Sequence, residues 1–379
     1  MLRRLLKALF WSSSGLLVYT HAGYPLLLRA LAGPGSGHSP PAPADADLPS
    51  VSLIVAAYDE EEVIAAKVAN ARALDYPRDR LEVVVASDGS GDATAQRARE
   101  AGADLVLDLP RGGKIRAQDR AVEHARGDVV AFSDANSAWA PDALRALVAP
   151  FAADPRTGYV CGQVRFTNAA GTNQEGLYWR YEMAVRTLES RLAGVTGGNG
   201  AIYAVRRPAY LVVDPRMGHD LSFPLNLVKR GWRALYAPEA RAEEKMVPSI
   251  EGEFARKRRM MSHAWAIVLE GGLLSPRGYP PLYAFEMVSH RVLRYASPFL
   301  HVAALVSNLA LRDRGRLYNA TLAGQLVLLG GAALGPVVPA RPFRVAYYYA
   351  LVTASLAAGL LDHLRTGTPA GWEKAEGTR

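Results

Sequence analysis

The stretches VSLIVAAYDEE (residues 51–61) and LEVVVASDGSG (residues 81–91) are two short apolar runs that end in acidic and glycine residues. Both are rich in β-branched residues and are stopped by turn formers, which is typical of buried strands. Between them, Glu60 to Ala73 has helical spacing with acids in its first turn. A strand, a helix and a strand in this order predict a parallel pair joined by a right-handed crossover.

The same alternation continues along the chain. Asp104–Asp108 and Asp128–Ser133 have the character of further strands, and Asp92–Ala101 and Lys114–Arg126 that of the helices between them. Ligands bind beyond the carboxyl ends of the strands in such a sheet. We therefore expect an α/β domain with its site at that edge.

Polar side chains follow three of these predicted strands. Glu60 comes just after the first strand, Asp88 ends the second, and Asp134 and Asn136 follow the fourth. An acid after a strand is also a common helix cap or turn residue, so each one alone is weak evidence. Together they indicate a ligand site.

The types of these side chains indicate which ligands the predicted site would bind. The oxygens of Asp134 and Asn136 suit a hard cation such as Mg²⁺ or Mn²⁺. Such a cation is usually shared with phosphates. The segment RGGK, residues 111–114, combines a flexible backbone with a cation at a helix start, which suits a diphosphate, although a solvated turn is the simpler interpretation. Neither GxxxxGK[ST] nor a GxGxxG after the first strand is present, which disfavours P-loop hydrolases and dinucleotide enzymes.

The composition of the chain excludes several classes of protein and of site. Of 379 residues, 50% are apolar and the net charge is +8. This excludes a mainly disordered chain and fits acidic substrates or an anionic membrane face without proving either. Cys161 is the only cysteine, so an internal disulfide and a multi-cysteine metal site are both excluded. We expect Cys161 to be an ordinary buried thiol without a catalytic role.

Four apolar runs lie at the two ends of the chain, and they are long enough to cross a bilayer. They are Ala8–Leu28, Tyr295–Leu311, Leu317–Ala340 and Val345–Leu361. Buried core helices, or a signal peptide for the first run, are the alternatives. Three runs clustered at one end favour an integral membrane protein. The predicted organisation is an N-terminal transmembrane helix (1–32), a linker (33–50), a catalytic domain (51–270), a C-terminal region of about three transmembrane helices (271–365) and a tail (366–379).

The order of short motifs resembles a known family. AYDEE, SDGSGD, RGGK, SDAN, TGGNGAIYAVRR, GHDLSFPLNL and ARKRR follow one another as in the membrane-bound family-2 inverting glycosyltransferases. These include the bacterial synthases of cellulose, hyaluronan and poly-N-acetylglucosamine. The resemblance covers residue 51 to about residue 265. It implies a GT-A-type, Rossmann-like mixed sheet with flanking helices and a role in polysaccharide biosynthesis at the bacterial cell envelope.

The resemblance assigns residues on the nucleotide-sugar side. Ala57 and Glu60 match the first-strand motif near the nucleotide, and Asp88 matches the aspartate that contacts a uracil-type base. Lys114 matches the lysine near the diphosphate. Asp134 matches the first member of the Asp-x-Asp motif that touches ribose, diphosphate and metal.

The second member of that motif departs from the family. Asn136 stands where the family has an aspartate, and its amide oxygen still ligates, but with less charge. The resemblance therefore implies Mg²⁺ or Mn²⁺ on Asp134 and Asn136, with an altered affinity or geometry.

The catalytic base implied by the resemblance is Asp220, with Pro224 supporting the register. A carboxylate there can deprotonate the acceptor hydroxyl. A helix N-cap is the alternative. His219 precedes it, where the family usually has an acid, and a surface histidine is the simpler interpretation of that residue.

The acceptor and diphosphate side involves Gly200, from the TGGNG segment, and Arg256 and Arg259, from a degenerate form of the Gln-x-x-Arg-Trp motif. A basic helix lying on anionic lipid is a competing interpretation of the two arginines. The helical stretches Glu175–Leu192 and Phe254–Leu269 are expected either to lie in the membrane interface or to pack on the sheet.

These expectations combine into one function. The chain would transfer a sugar, with UDP as the expected carrier, to a lipid-linked or polysaccharide acceptor with inversion, in the bacterial inner or plasma membrane, with its catalytic domain facing the cytosol. Membrane lipids and export or assembly subunits are further expected partners, and nucleic acid is not. A catalytically weak membrane scaffold or partner subunit is the alternative, and a soluble nucleotidyltransferase is a third possibility.

Overall fold

A computed structural model describes residues 1–35, 40–41, 43–167, 176–245 and 250–371. The strands of this part of the chain form one sheet. They are β1 (Val51–Ala57), β2 (Leu81–Asp88), β3 (Leu105–Leu109), β4 (Val129–Asp134), β5 (Ala138–Trp139), β6 (Thr157–Thr167), β7 (Tyr203–Arg206) and β8 (Arg233–Lys245).

The sheet is mixed, with the strand order β3-β2-β1-β4-β7-β6-β8-β5. The pairs β3-β2, β2-β1 and β1-β4 are parallel, as the strand–helix alternation predicts. Strand β7 then runs antiparallel to both β4 and β6, β8 runs parallel to β6, and β5 closes the edge antiparallel to β8. The predicted mixed α/β sheet is confirmed.

Strand β1 lies inside the sheet, between β2 and β4, and both of its faces are covered. All seven of its residues are buried, which explains why this strand is a continuous apolar run without alternation. Val51 pairs with Leu81 on one side and with Val129 on the other. This register aligns the carboxyl ends of β1, β2 and β4.

The helices alternate with the strands in the first half of the chain and dominate its ends. They are α1 (Leu2–Val18), α2 (Tyr24–Ala32), α3 (Ile64–Arg72), α4 (Thr94–Glu100), α5 (Lys114–His124), α6 (Ala143–Ala153), α7 (Gly176–Leu192), α8 (His219–Lys229), α9 (Ile250–Leu269), α10 (Pro281–Glu286), α11 (Leu293–Leu311), α12 (Arg316–Leu334) and α13 (Arg341–Thr366).

The first predicted helix begins later than its acids indicate, at Ile64 instead of Glu60. The reason is local. The peptide N–H of Glu60 donates to the Thr94 hydroxyl at 2.8 Å, and that of Glu61 donates to Asp92 at 3.2 Å. These bonds to the loop after β2 replace the regular first turn of a helix. The predicted start of the helix at Glu175 lies outside the described residues.

Apolar side chains cover the sheet on both faces. One core joins β4 and β7 to α5, α8 and α9 and includes Phe132, Tyr203 and Phe223. The other packs α6 against the opposite face through Leu144 and Leu147. Helix α7 packs on β8 and on α2, which answers one open question about that helix: it lies between the sheet and the N-terminal helix.

Helices at the two ends of the chain form a separate group. A short π-helical segment, Tyr19–Gly23, links α1 to α2, and another, Met287–Val292, links α10 to α11. Helix α1 packs along α11, and α12 packs on α11 and α13. All four predicted apolar runs lie in helices of this group.

By length and composition, two described helices are apolar enough to cross a membrane, each with a mean hydropathy of 1.3: α12 and α13. The first run, Ala8–Leu28, is divided between α1, the π-helical segment and α2, and Tyr295–Leu311 lies in α11, so the crossing of the bilayer by these two runs stays a prediction. Helices α1 and α11 interrupt their apolar faces with polar residues, among them Ser13 and Asn308, which are buried.

Candidate functional site

The register of the parallel strands brings the predicted polar residues to one edge. Ala57 at the end of β1 pairs with Ser87, and the neighbouring Ala56 pairs with Asp134. Asp88 and Asp134 therefore flank the end of the central strand on its two sides. The crevice between them is the candidate site.

Asp88 organises the RGGK loop. Its carboxylate is buried and accepts the backbone N–H groups of Gly112 (2.7 Å) and Gly113 (2.9 Å) and the guanidinium of Arg111 (2.6 Å). The turn after β2 needs glycine at position 89, where φ is +67° and a Cβ would lie 2.7 Å from the Arg111 nitrogen. The loop is thus held against the end of β2.

The end of β1 is tied to the same turn. Asp59 has a left-handed φ of +49°, and its carboxylate accepts the N–H of Gly91 at 2.7 Å. The guanidinium of Arg111 stacks over the Tyr58 ring, 3.4 Å from its centroid. Ala57 and Glu60 are both buried beside this turn. These contacts define one wall of the crevice.

Lys114 and Asp134 meet across the crevice. The ammonium of Lys114, at the start of α5, forms an ion pair with the Asp134 carboxylate. A Cβ on Gly200 would lie 3.4 Å from the Lys114 nitrogen, so the backbone of the TGGNG segment is adjacent to the same ammonium. The structure therefore brings residues assigned to the two substrate sides together at Lys114.

Two charged residues that sequence analysis missed, the buried Lys67 and the half-buried Glu244, lie within electrostatic range of Asp134. Burial, and then repulsion by Asp134, raise the pKa of Glu244 to about 7, while Lys114, Arg256 and Lys67 oppose the rise. Burial lowers the pKa of Lys67 to about 7, against the attraction of Asp134 and Glu244. Lys67 also donates to the carbonyl of Ser137 at 2.7 Å.

The signals for these two residues in the sequence are weak. Lys67 lies among uncharged residues in a helix that ends with Arg72, and Glu244 is the penultimate residue of a long strand that is rich in charges. Lysine and glutamate are almost never fully buried unless they are paired. Their electrostatic interaction becomes visible only when β8 pairs with β5 and α3 packs on β5.

The donor set suits a divalent cation. Asp134 and Glu244 supply two carboxylates within electrostatic range of each other, Asn136 adds an amide oxygen, and the Lys114 ammonium stands where a cation neutralises Asp134. Within the described ranges, no group of three or more His, Cys, Asp and Glu side chains gathers as a metal site. The residues fit Mg²⁺ or Mn²⁺ when phosphate oxygens complete the shell.

Asp220 lies in the first turn of α8, on the far side of the TGGNG segment. The N–H of Gly198 donates to the Asp220 carbonyl at 2.6 Å, which fixes this segment against the helix. The Asp220 side chain is half-buried, and no hydrogen bond or ion pair to another described side chain holds its carboxylate. No side-chain cap bond forms at the start of α8, so the N-cap alternative has no support there.

His219 is buried, and the expectation of a surface histidine is wrong. Its Nδ1 lies 2.8 Å from the Tyr203 hydroxyl, and its ring stacks on Phe223 with centroids 3.9 Å apart. Burial, and then the Lys114 charge, lower its pKa to about 3. A neutral imidazole thus replaces the expected acid and fills an aromatic cluster beneath the site.

The basic residues of α9 face different partners. Arg256 lies within electrostatic range of Glu244. Arg258 forms a two-point ion pair with Asp362 of α13, at 2.5 and 2.6 Å. Arg259 belongs to the same helix, which packs along α13.

Cys161 is fully buried in β6, and burial raises the pKa of its thiol to about 11. The predicted burial of this thiol is confirmed.

The C-terminal segment reaches the candidate site, which the sequence does not predict. Thr368 is 3.0 Å from the Ser262 hydroxyl and 2.9 Å from Nδ1 of His363, which anchors the chain after α13. Two residues later, the carbonyl of Ala370 packs on Gly113 so closely that a Cβ there would collide with it. The RGGK loop is therefore braced from outside by the end of the chain.

The comparisons with known proteins agree with this geometry. Residues 49–262 match the model of glycosyltransferase like family 2. The chain belongs to this family. The match spans the sheet from β1 to β8 and ends within α9.

Curated relatives of this family-2 chain include a probable glycosyltransferase, YdaM, of Bacillus subtilis, which is 27% identical over 213 residues, or 51% of this chain and 50% of the relative. A poly-beta-1,6-N-acetyl-D-glucosamine synthase of Staphylococcus aureus is 26% identical over 205 residues, covering 51% and 49%. The chain spans about half the length of these curated relatives.

A solved structure resembles nearly the whole chain. The mannosyltransferase PcManGT from Pyrobaculum calidifontis, in complex with GDP-Man and Mn²⁺, superposes with a TM-score of 0.73 at 25% identity, covering 96% of this chain and 99% of that one. The helices at both ends are therefore included in the similarity. The sheet is that of GT-A glycosyltransferases, as the motif resemblance implies.

Proposed function

We propose that this chain is a membrane glycosyltransferase that transfers a sugar from a nucleoside diphosphate sugar to an acceptor at the membrane surface, with inversion. The main support for this proposal is the arrangement of side chains around the crevice. The Lys114–Asp134 pair lies on one side of the Gly200 backbone, and the unengaged carboxylate of Asp220 lies beyond the same TGGNG segment. A donor and an acceptor can meet there.

Asp220 acts as the base. A single displacement needs one group to take the proton of the acceptor hydroxyl as that oxygen attacks the anomeric carbon. Asp220 fits because its carboxylate is half-buried, is not held by another described side chain and lies on a rigid helix start. The attack comes from the face opposite the leaving diphosphate, so the anomeric configuration inverts.

Positive charge on the other side assists the leaving group. Lys114 and Arg256 lie around Asp134 and Glu244, where the departing diphosphate gains charge, and Arg259 follows on the same helix. Asp134, with Asn136 and Glu244, would hold a divalent cation, which would supply Lewis-acid stabilisation of that charge. Lys114 exchanges its partner Asp134 for phosphate oxygens when the donor binds.

The nucleotide is held at the ends of β1 and β2. Ala57 and Glu60 border the base pocket, and Asp88 faces it through the RGGK loop. Because the Asp88 carboxylate is buried and accepts from Arg111, Gly112 and Gly113, it supports the base pocket through the RGGK loop and does not discriminate between bases. The family motif favours a UDP-sugar, whereas GDP-Man in PcManGT favours a GDP-sugar, and titration of both nucleotides distinguishes them.

The acceptor is proposed to be lipid-linked or a growing polysaccharide, with the domain facing the cytosol, where nucleotide-sugars are made. The helices at the two ends expose large apolar side chains that a soluble protein would cover. These include Trp11, Leu16, Phe299, Val302, Val306, Leu326, Val327 and Leu361. They support integration into the bilayer beside the crevice.

Membrane integration predicts a simple fractionation result. The full-length chain should remain in the membrane pellet after an alkaline carbonate wash and enter solution only with detergent, because exposed apolar helices stay in lipid. Immunoblotting of the two fractions measures this. Release by carbonate alone would show that the helices do not span the bilayer.

The transfer proposal is tested by following a labelled sugar. Membranes containing the full-length chain are given UDP- and GDP-sugars with Mn²⁺, and the label is separated into organic extract, precipitated polymer and water-soluble fractions. We expect incorporation from one donor into lipid or polymer. Binding of donors without any incorporation would favour the membrane-scaffold alternative.

A pair of glycine variants tests the donor loop. Gly113→Ala should weaken nucleoside diphosphate binding about tenfold, since an alanine at φ +93° costs about 1–2 kcal/mol and its Cβ meets the Ala370 carbonyl. Calorimetric titration with UDP or GDP and Mn²⁺ measures this.

Gly112→Ala is the matched control for that variant, because its Cβ would meet the flexible Arg116 side chain at 3.4 Å and the Pro110 carbonyl at 3.7 Å, an ordinary van der Waals contact. It should bind within about threefold of the wild type. An equal effect of the two substitutions would contradict a role for the contact between Gly113 and the C-terminal segment.

A further inference from the structure

A buried polar cluster joins the apolar end helices to the TGGNG segment. Its centre is Glu189 of α7, which accepts hydrogen bonds from the Tyr24 hydroxyl of α2 at 2.7 Å and the Thr196 hydroxyl at 3.1 Å. The Nδ1 of His290, in the π-helical segment before α11, lies 2.7 Å from the same carboxylate. All four side chains are at most 2% exposed.

A second layer fixes the position of Thr196. The Nε of Arg291 donates to both its hydroxyl (3.1 Å) and its carbonyl (3.2 Å), and His290 Nδ1 lies 3.1 Å from the hydroxyl. The other ring nitrogen of His290 is 3.3 Å from Glu182. Thr196 is thus held from the end helices on two sides.

The rest of the segment is held from the catalytic domain. Arg186 of α7 donates to the Gly198 carbonyl at 3.0 Å, and the Gly198 N–H donates to the Asp220 carbonyl at 2.6 Å. Burial alone would raise the pKa of Glu189, but His290 and Arg291 outweigh it and keep that pKa below its usual range. Hydrogen bonds therefore run from α2 and the π-helical segment to Thr196, and the backbone through Gly197 links Thr196 to Gly198, which bonds to Asp220.

We propose that Glu189, Thr196 and His290 are positioning residues that set the Thr196–Gly200 segment against Asp220 and so fix where the acceptor hydroxyl meets the base. The inference rests on the proposed function, and it gives the end helices a role in the reaction in addition to anchoring. The cluster buries two carboxylates, Glu182 and Glu189, beside basic side chains. Apolar packing would hold these helices at a lower desolvation cost.

The expected effect is on geometry and not on donor binding. The cluster contacts the segment at Thr196, whereas Lys114, which pairs with Asp134, is adjacent to the segment at Gly200. A displacement of about 1 Å at a reacting centre can slow a reaction about 10²-fold. Loss of the cluster should therefore lower the transfer rate while water still reaches the bound donor.

Thr196→Val and Thr196→Ser are a matched pair, because valine keeps the shape without the hydroxyl and serine keeps the hydroxyl. For the full-length protein in lipid nanodiscs, we expect Thr196→Val to lower kcat for transfer about 10–100-fold. Its KM for the donor should change less than about twofold, and the ratio of donor hydrolysis to transfer should rise. Thr196→Ser should stay within about threefold of the wild type.

A second pair of variants, at His290, is a control for misfolding of the Thr196 variants. His290→Asn keeps a nitrogen near the Nδ1 position, and His290→Leu removes it, so only the leucine variant should show the same split between kcat and KM. Equal transfer by the valine and serine variants, or a parallel loss of donor affinity, would overturn this inference alone. Absence of transfer by the wild type would overturn the proposed function and this inference with it.

Discussion

Replacing Asp220 by asparagine is expected to slow sugar transfer about 10²–10⁴-fold, the range that a positioned general base contributes. An amide cannot take the proton of the acceptor hydroxyl. The substitution keeps the shape of a side chain that no other described side chain holds, so folding and donor binding should be retained. Initial rates of labelled-sugar transfer and nucleotide titration measure the two effects separately.

Asp214→Asn is the matched control for this variant. Asp214 lies in the loop before α8 and forms a surface ion pair with Arg216 at 2.8 Å, and such pairs contribute about 0–1 kcal/mol. Its transfer rate should equal that of the wild type. Wild-type turnover by Asp220→Asn would exclude Asp220 as the base and direct attention to another group on the acceptor side.

Asp134→Asn is expected to lower transfer roughly 10²–10³-fold, because cation stabilisation of the leaving diphosphate amounts to several kcal/mol. Asp134 faces the Lys114 ammonium and lies within electrostatic range of Lys67 and Glu244. Removing the Asp134 charge takes a negative neighbour away from Lys114 and Lys67 and weakens the cation site. Activity as a function of Mn²⁺ concentration measures the loss.

Two further variants sharpen this test. Asp142→Asn changes an exposed carboxylate at the start of α6 and should be silent. Asn136→Asp restores the second acid of the family motif and should lower the Mn²⁺ concentration for half-maximal activity several-fold, because ligand charge tunes cation affinity. Undiminished Mn²⁺-dependent transfer by Asp134→Asn would contradict the proposed cation site.

The parallel half of the fold was predictable because its signals are local. The runs ending at Ala57 and Asp88 are continuous and apolar since both faces of these strands are covered. Turn residues end each of them. The alternation with helices then determines the parallel direction, and the direction places Asp88 and Asp134 at one edge.

The remaining features depend on contacts between distant parts of the chain. Glu244 is recognisable as a site residue only when β8 pairs with β6 and its end approaches Asp134. His219 is a polar residue, so the sequence predicts that it is exposed, but in the structure it packs against Tyr203 and Phe223. The contact of Ala370 with Gly113 joins residues that are far apart in the sequence, so no local pattern predicts it.

The central claim is that this chain turns over a nucleoside diphosphate sugar at the crevice between Asp88, Asp134 and Asp220. The most direct test is the release of free nucleoside diphosphate by the purified full-length protein in nanodiscs, with Mn²⁺ and acceptor lipids extracted from bacterial membranes. We predict release from one UDP- or GDP-sugar, abolished by EDTA and by Asp134→Asn. A folded, nucleotide-binding wild-type protein that releases no nucleoside diphosphate from any donor would contradict it.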